Sequence, residues 1–296
     1  MNAPDNTLTQ SATQAVPAKS IGDILVATGV LKPQDLAQIL VLQKRNKIPF
    51  GEAAIALKLL TKADIDFALS KQFDYAYLDA QDGSLSPQLI AAYKPFSRVG
   101  ENLRAVRSQL MLRWFNGEVG RKVLAVVSPG QGDGRSFVAA NLAIVFAQQG
   151  QRTLLIDADL RSKPETSQQA LFQLERGAGL SSILSGRGGL ELGKLVPGLP
   201  GLGVLTAGAV PPNPQELLGR AEFGRLLLQA AEMFDVVLID TPSGGDYADA
   251  EIIAARAGAA VMVARKNQSL VPQATALSRR LQDSGVALVG SVLNDA

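Results

Sequence analysis

The apolar run Lys122 to Val127 leads into Ser128-Pro-Gly-Gln-Gly-Asp-Gly-Arg-Ser136, and an apolar helical pattern then continues to about Gln149. A buried strand, a glycine-rich turn and a helix opening directly from it leave few folds to choose from. Glycines let successive backbone amides turn inward around an anion, and the helix N-terminus adds its positive end. This order is the context that a phosphate-binding loop requires. An ordinary glycine-rich turn would share the glycines, but two further segments argue against it. Leu154 to Arg161 carries Asp157 and Asp159 just past an apolar run, and Val236 to Pro242 carries Asp240 in the same place. In open α/β sheets, ligands bind at the carboxyl ends of strands. Three strand ends thus bring a phosphate cradle and three carboxylates to one edge. The expected ligand is a purine nucleoside triphosphate, namely ATP with Mg²⁺.

The loop departs from the usual G-x-x-x-x-G-K-[ST] pattern. Arg135 stands in the lysine position, and Pro129 stands where the first glycine would be. A planar guanidinium still neutralises phosphate charge but is larger than an ammonium and follows a different path. Phosphate binding should therefore suffer less than turnover. Ser136 stands where a hydroxyl would coordinate Mg²⁺.

Composition removes other chemistries. The chain has no cysteine and no histidine, which excludes disulfides, thiolate and imidazole metal sites and a Ser-His-Asp hydrolase. Net charge is +2 with both signs spread along the chain, unlike the one-sided basic face of a nucleic-acid binder. No run approaches the roughly 18–20 apolar residues needed to cross a bilayer, and Met1 to Lys19 does not read as a signal peptide. The chain is expected to be cytoplasmic.

Residues 1–19 read as a disordered tail, with almost no large apolar residue to bury. From Ile21 a repeat begins: Gly22, Leu31, Asp35, Leu40 and Gln43 recur 29 residues later as Gly51, Leu60, Asp64, Leu69 and Gln72. Each copy reads as a short helix, a turn and a longer helix, so residues 20–80 should form a small duplicated helical domain. Gly83, Ser84, Pro87 and Pro95 mark residues 81–95 as a linker. A helix follows from Val99 to about Phe115. After it, strands at 122–127, 153–156, 202–205, 236–239, 260–264 and 288–292 alternate with helices at 136–149, 222–233, 248–257 and 272–284. Residues 96–296 are therefore expected to form an α/β domain of the P-loop NTPase type, a mostly parallel sheet covered by helices on both faces.

The loop, the D-x-D-x-R segment ending at Arg161 and Asp240-Thr-Pro242 resemble, in this order, the motifs of the bacterial tyrosine-kinase (BY-kinase) family of capsule and exopolysaccharide synthesis. Gly179 to Gly186 and Leu205 to Leu218 add to the resemblance, most nearly to the chain-length-determinant-associated, EpsG-type kinases. The resemblance implies a tyrosine-protein kinase in which Gly130, Gly132, Asp133, Gly134, Arg135, Ser136 and Phe137 bind ATP. Ser136, Asp157 and Asp240 would serve Mg²⁺, Asp159 would be the base for a tyrosine hydroxyl, and Arg135 and Asp157 would assist catalysis. Glu101, Arg104 and Arg107 match the helix that mediates ring assembly between subunits, although their i, i+3 spacing also suits surface salt bridges. The implied partners are further copies of the chain and a membrane chain-length determinant, a polysaccharide co-polymerase holding the chain at the inner membrane. The family's C-terminal tyrosine cluster has no counterpart after Tyr247, which leaves Tyr75, Tyr77, Tyr93 or another protein as acceptor. Two other readings remain open: a non-catalytic ATP-dependent assembly switch, and a positioning ATPase of the ParA/MinD type, whose additional early loop lysine is missing here.

The duplicated unit resembles the N-terminal domain of type II secretion and pilus ATPases, some of which bind cyclic di-GMP. Ser20 and Pro49 occupy the arginine positions of that pattern. Loss of both arginines removes the guanine and phosphate partners, so protein docking is expected ahead of second-messenger binding.

Overall fold

The structure is a computed structural model that describes residues 20–72, 76, 78 and 82–295. The expected tail over residues 1–19, together with Tyr75 and Tyr77, lies outside the described residues. The chain divides into two compact units, Met1–Tyr75 and Ala76–Ala296.

In the first unit, α1 (Ile21–Ala27) and α2 (Pro33–Asn46) are followed by α3 (Phe50–Ala56) and α4 (Lys62–Gln72). The order short helix, turn, longer helix thus occurs twice, with the 29-residue offset of the sequence repeat. Ser20 caps α1, its side chain and that of Asp23 exchanging bonds with each other's backbone amides, and Thr61 pairs with Asp64 in the same way. Such a box satisfies amides that a helix start leaves without partners. Leu25, Ile39, Ala53, Ala54 and Ala68 form the buried centre of this unit.

The second unit opens with α5 (Ile90–Tyr93) and α6 (Arg98–Arg113), followed by β1 (Val123–Val127), α7 (Arg135–Ala147) and β2 (Thr153–Asp157). Short elements come next: α8 (Gln168–Leu171), α9 (Leu180–Leu184), β3 (Lys194–Leu195), β4 (Leu202–Leu205) and α10 (Pro214–Gly219). The chain ends with α11 (Ala221–Met233), β5 (Val236–Asp240), α12 (Asp249–Ala257), β6 (Ala259–Arg265), α13 (Val271–Asp283) and β7 (Ala287–Asn294). The seven strands lie in the order β3-β4-β2-β5-β1-β6-β7, parallel except for β3.

Side chains alternate along the central strands between two cores. Leu124, Val126, Leu155 and Leu238 pack with α5, α6 and α7, whereas Val123, Ala125, Leu154 and Ile239 pack with α9 to α13. Both faces are covered, so the strands read as continuous apolar runs rather than as alternating ones.

The expected linker is overturned. Leu85, Leu89, Ala91, Ala92 and Tyr93 are buried against α7. The Ala91 amide donates to Asn141 Oδ1 at 2.9 Å, and Gln148 Nε2 donates to the carbonyls of Ala76 and Ala91 at 2.8 Å. The Tyr93 hydroxyl closes the turn, donating to Leu85 O and accepting from Leu85 N, each at 2.9 Å. Alanines allow the short helix to lie close to α7, and they give no amphipathic signature to set against the flanking turn formers.

Candidate functional site

Strand order builds the site. β5 lies between β1 and β2, with Asp240 level with Val126 on one side and with Asp157 on the other. The phosphate loop and the carboxylates, distant in sequence, therefore meet at adjacent strand ends. A cavity of about 620 Å³ opens there, within the usual range for small-molecule sites.

The loop is fixed by its own side chains and by the far end of the sheet. Gly134 caps α7 at φ +87°, a left-handed conformation that glycine adopts without strain. Asp133 is buried, accepting from Gly130 N at 2.7 Å and from Ser269 Oγ at 2.5 Å. Asn294 Nδ2 donates to Asp133 O at 3.1 Å, and Arg265 donates to Gly132 O at 3.3 Å. Gly132, Asp133, Gly134, Arg135 and Ser136 line the cavity. Two of the expected nucleotide-binding residues do not. The Gly130 amide is engaged by Asp133, and the Phe137 side chain packs against the core.

Arg135 does not reach along the loop. Its guanidinium turns back toward the sheet, where Nε donates to Asp240 at 3.2 Å and the two terminal nitrogens donate to Ser128 Oγ at 2.9 Å and Asp159 at 3.3 Å. The arginine is only 9% exposed and Asp240 only 1%. Such a pair is held by hydrogen bonds that satisfy both partners in a dry setting.

Asp157 and Asp240 lie beneath the cavity wall rather than on it. Asp157 accepts from the amides of Asp159 at 3.2 Å and Gln168 at 2.9 Å, and the second oxygen of Asp240 accepts from Gln168 Nε2 at 2.7 Å. Among the described residues no set of three or more acidic side chains is arranged to hold a metal ion. A guanidinium already supplies the cation between Asp159 and Asp240. Ser136 differs: it lines the cavity, and its hydroxyl makes no hydrogen bond among the described residues.

Burial, reinforced by the charge of Asp240, pushes the Asp157 carboxyl well above the usual carboxylate range. Burial also raises Asp159, opposed by the guanidinium of Arg135. Asp159 lines the cavity, so a carboxylate raised by burial faces that space.

Several functional side chains escape a sequence reading. Gln168 ties Asp157, Asp240 and the Ser136 carbonyl together, yet stands alone in a polar stretch with no motif. Ser128, at the start of the loop, holds Arg135 and donates to Gly130 O at 2.9 Å. Arg161 is anchored by the fully buried Asp249 at 2.7 Å and stacks 4.0 Å from the Tyr247 ring centre. The arginine of D-x-D-x-R was visible as a motif, but not its partners.

The expected assembly residues sit on α6. Arg104 pairs with Glu101 and donates to Pro95 O at 2.7 Å, and Arg107 donates to Val145 O at 3.0 Å on α7. Both arginines are thus engaged within their own chain, and Glu101 is the exposed member.

No protein-family model matches the chain. The chain is 36% identical over 206 residues to the tyrosine-protein kinase YwqD of Bacillus subtilis, spanning 70% of this chain and 85% of that protein. It is 34% identical over 207 residues to the tyrosine-protein kinase etk of Escherichia coli K12, but that match spans only 28% of the longer relative. The solved kinase domain of the Escherichia coli tyrosine kinase ETK superposes with a TM-score of 0.67 at 30% identity, covering 75% of this chain and 89% of that domain. Sequence identity over two thirds of the chain and the superposition on a solved kinase domain agree: the chain belongs to the bacterial tyrosine-protein kinase family.

Proposed function

We propose that this chain binds ATP and Mg²⁺ in the cavity at the ends of β1, β2 and β5, and transfers the γ-phosphoryl group to protein tyrosine. The reading rests on one observation: the glycine-rich loop, a Ser136 hydroxyl with no partner among the described residues and the carboxylate of Asp159, raised by burial, share a single cavity. Phosphoryl transfer needs mainly positioning and charge neutralisation, so this set suffices. Mg²⁺ would neutralise the phosphates, held by Ser136 and by Asp240, with Asp157 behind it, once Arg135 exchanges its carboxylates for phosphate oxygens. Gln168 fixes both buried carboxylates through that exchange. Asp159, released from Arg135, takes the proton of the incoming hydroxyl.

The process served is exopolysaccharide or capsule chain-length control, as the family resemblance implies. Among the described residues no helix is long and apolar enough to cross a membrane. A membrane-spanning chain-length determinant would hold the chain at the inner membrane, and further copies of the chain would join it through α6.

A second reading is favoured by Arg135 itself. Its bonds to Asp159 and Asp240 suit a switch in which ATP binding alone rearranges the site and controls assembly. Incubation of the full chain with Mg²⁺-ATP and a Glu-Tyr copolymer separates the two. The kinase reading expects phosphotyrosine that Asp159→Asn abolishes. It also expects Arg135→Lys, which restores the usual lysine, to raise the rate by roughly tenfold, about 1.4 kcal/mol of barrier. ATP binding with no phosphotyrosine, and an ATP-dependent change of oligomer size that survives Asp159→Asn, would establish the switch instead.

A further inference from the structure

A carboxylate in the middle of a phosphate-binding loop is chemically out of place. Asp133 belongs to the loop on the cavity wall, where a free negative charge would repel a triphosphate. Its side chain is instead buried, with both oxygens engaged. Oδ2 accepts from Gly130 N at 2.7 Å, and Oδ1 accepts from Ser269 Oγ at 2.5 Å.

Ser269 reaches this carboxylate from the turn between β6 and α13. Its hydroxyl accepts from Arg265 N at 2.7 Å while donating to Asp133, and Ser269 N donates to Arg265 O at 2.9 Å. The end of β6 therefore fixes the hydroxyl, whose single proton is committed to the carboxylate. The loop carbonyls are held by the ends of the same strand and its neighbour, with Arg265 on Gly132 O at 3.3 Å and Asn294 on Asp133 O at 3.1 Å. In a planar trans peptide the N–H points opposite to the C=O, so these bonds turn the Asp133 and Gly134 amides away from β6 and β7. Among the described residues, the amides of Gln131, Gly132, Asp133 and Gly134 make no hydrogen bond. The loop thus keeps its oxygens occupied and its amides free for an anion.

We propose that Ser269 is a positioning residue for the nucleotide: it keeps the Asp133 carboxylate turned from the phosphates and thereby sets the affinity of the loop for a nucleoside triphosphate. The inference rests on the nucleotide reading above. In this role Ser269 contacts no phosphate and acts through Asp133. Without its hydroxyl the carboxylate is free to rotate, which releases the Gly130 amide and brings negative charge to the cavity wall.

Calorimetric titration of the full chain with Mg²⁺-ATP tests the proposal. Ser269→Ala should weaken ATP binding roughly tenfold, the scale of one hydrogen bond to a charged group. Ser269→Thr, which keeps the hydroxyl, should return the affinity to within about twofold of the parent. In an Asp133→Ala chain, Ser269→Ala should cost less than about twofold, because the group it restrains is gone. Fluorescence of Trp114, packed against β1, checks that each variant is folded. Where Ser269→Ala does not fold, Ser269→Cys makes the same comparison, since a thiol donates only weakly. Unchanged ATP affinity in Ser269→Ala, a loss that threonine does not restore, or an equal loss in the Asp133→Ala chain overturns the inference and leaves the nucleotide reading standing. A parent chain that binds no ATP removes both.

Discussion

Removal of Arg135 tests the central electrostatic argument most directly. Its guanidinium is the ion-pair partner of Asp159 and of the buried Asp240, at 3.3 and 3.2 Å. Arg135→Ala leaves both carboxylates in a dry setting without their cation. Breaking a buried pair from one side costs about 3–5 kcal/mol. At about 2–4 °C per kcal/mol for a domain of this size, unfolding should shift down by about 6–20 °C.

The loss should depend on pH, and its sign follows from the shifts. Burial raises Asp157 and Asp159 in the folded state, so that state binds protons more readily than the unfolded chain. The stability these two groups contribute is fully present below the ordinary carboxylate value of about 4, and is lost as pH rises through their folded values. Arg135 is what limits the rise of Asp159, so without it the folded value climbs further and the loss at neutral pH deepens. Thermal unfolding of Arg135→Ala and the parent at pH about 8 and about 4.5 should show the larger difference at the higher pH. Fluorescence of Trp114, the single tryptophan, reports on this unit because its indole donates to Val123 O in β1 at 2.9 Å. Equal losses at both pH values, or a loss below about 1 kcal/mol, would refute the claim that Arg135 neutralises buried carboxylates.

Two further substitutions probe the scaffold. Gly134→Ala places a side chain at φ +87°, with its Cβ 2.1 Å from Asn294 Nδ2, so stability should fall by about 1–2 kcal/mol and ATP affinity with it. Unchanged denaturant midpoint and affinity would show that the turn does not need glycine. Tyr93→Phe removes a hydroxyl that both donates to and accepts from the buried Leu85 backbone, and should cost about 1–3 kcal/mol in urea unfolding. A neutral result would mean that residues 85–93 are not part of the core.

Local order was legible in the sequence because local rules set it. An apolar run of strand length ending at Val127, Asp157 or Asp240 must be buried, and glycines at 132 and 134 supply left-handed turns that other residues avoid. The 29-residue offset likewise announced helices that repeat at the same spacing. These are properties of neighbours along the chain.

The state of the site was decided by tertiary structure. Arg135 finds its partners 24 and 105 residues away because β5 lies between β1 and β2, and no local pattern encodes that order. The same order sinks Asp157 and Asp240 beneath the cavity and leaves Asp159 at its wall. Gln168 acquires its role only because β2 and β5 end side by side. The alanines of α5 read as linker until α7 lies against them, since a close-packed small residue gains its burial from its neighbour and not from its own side chain. Sequence thus fixed which groups reach the sheet edge, and packing decided which of them face the ligand and which hold one another.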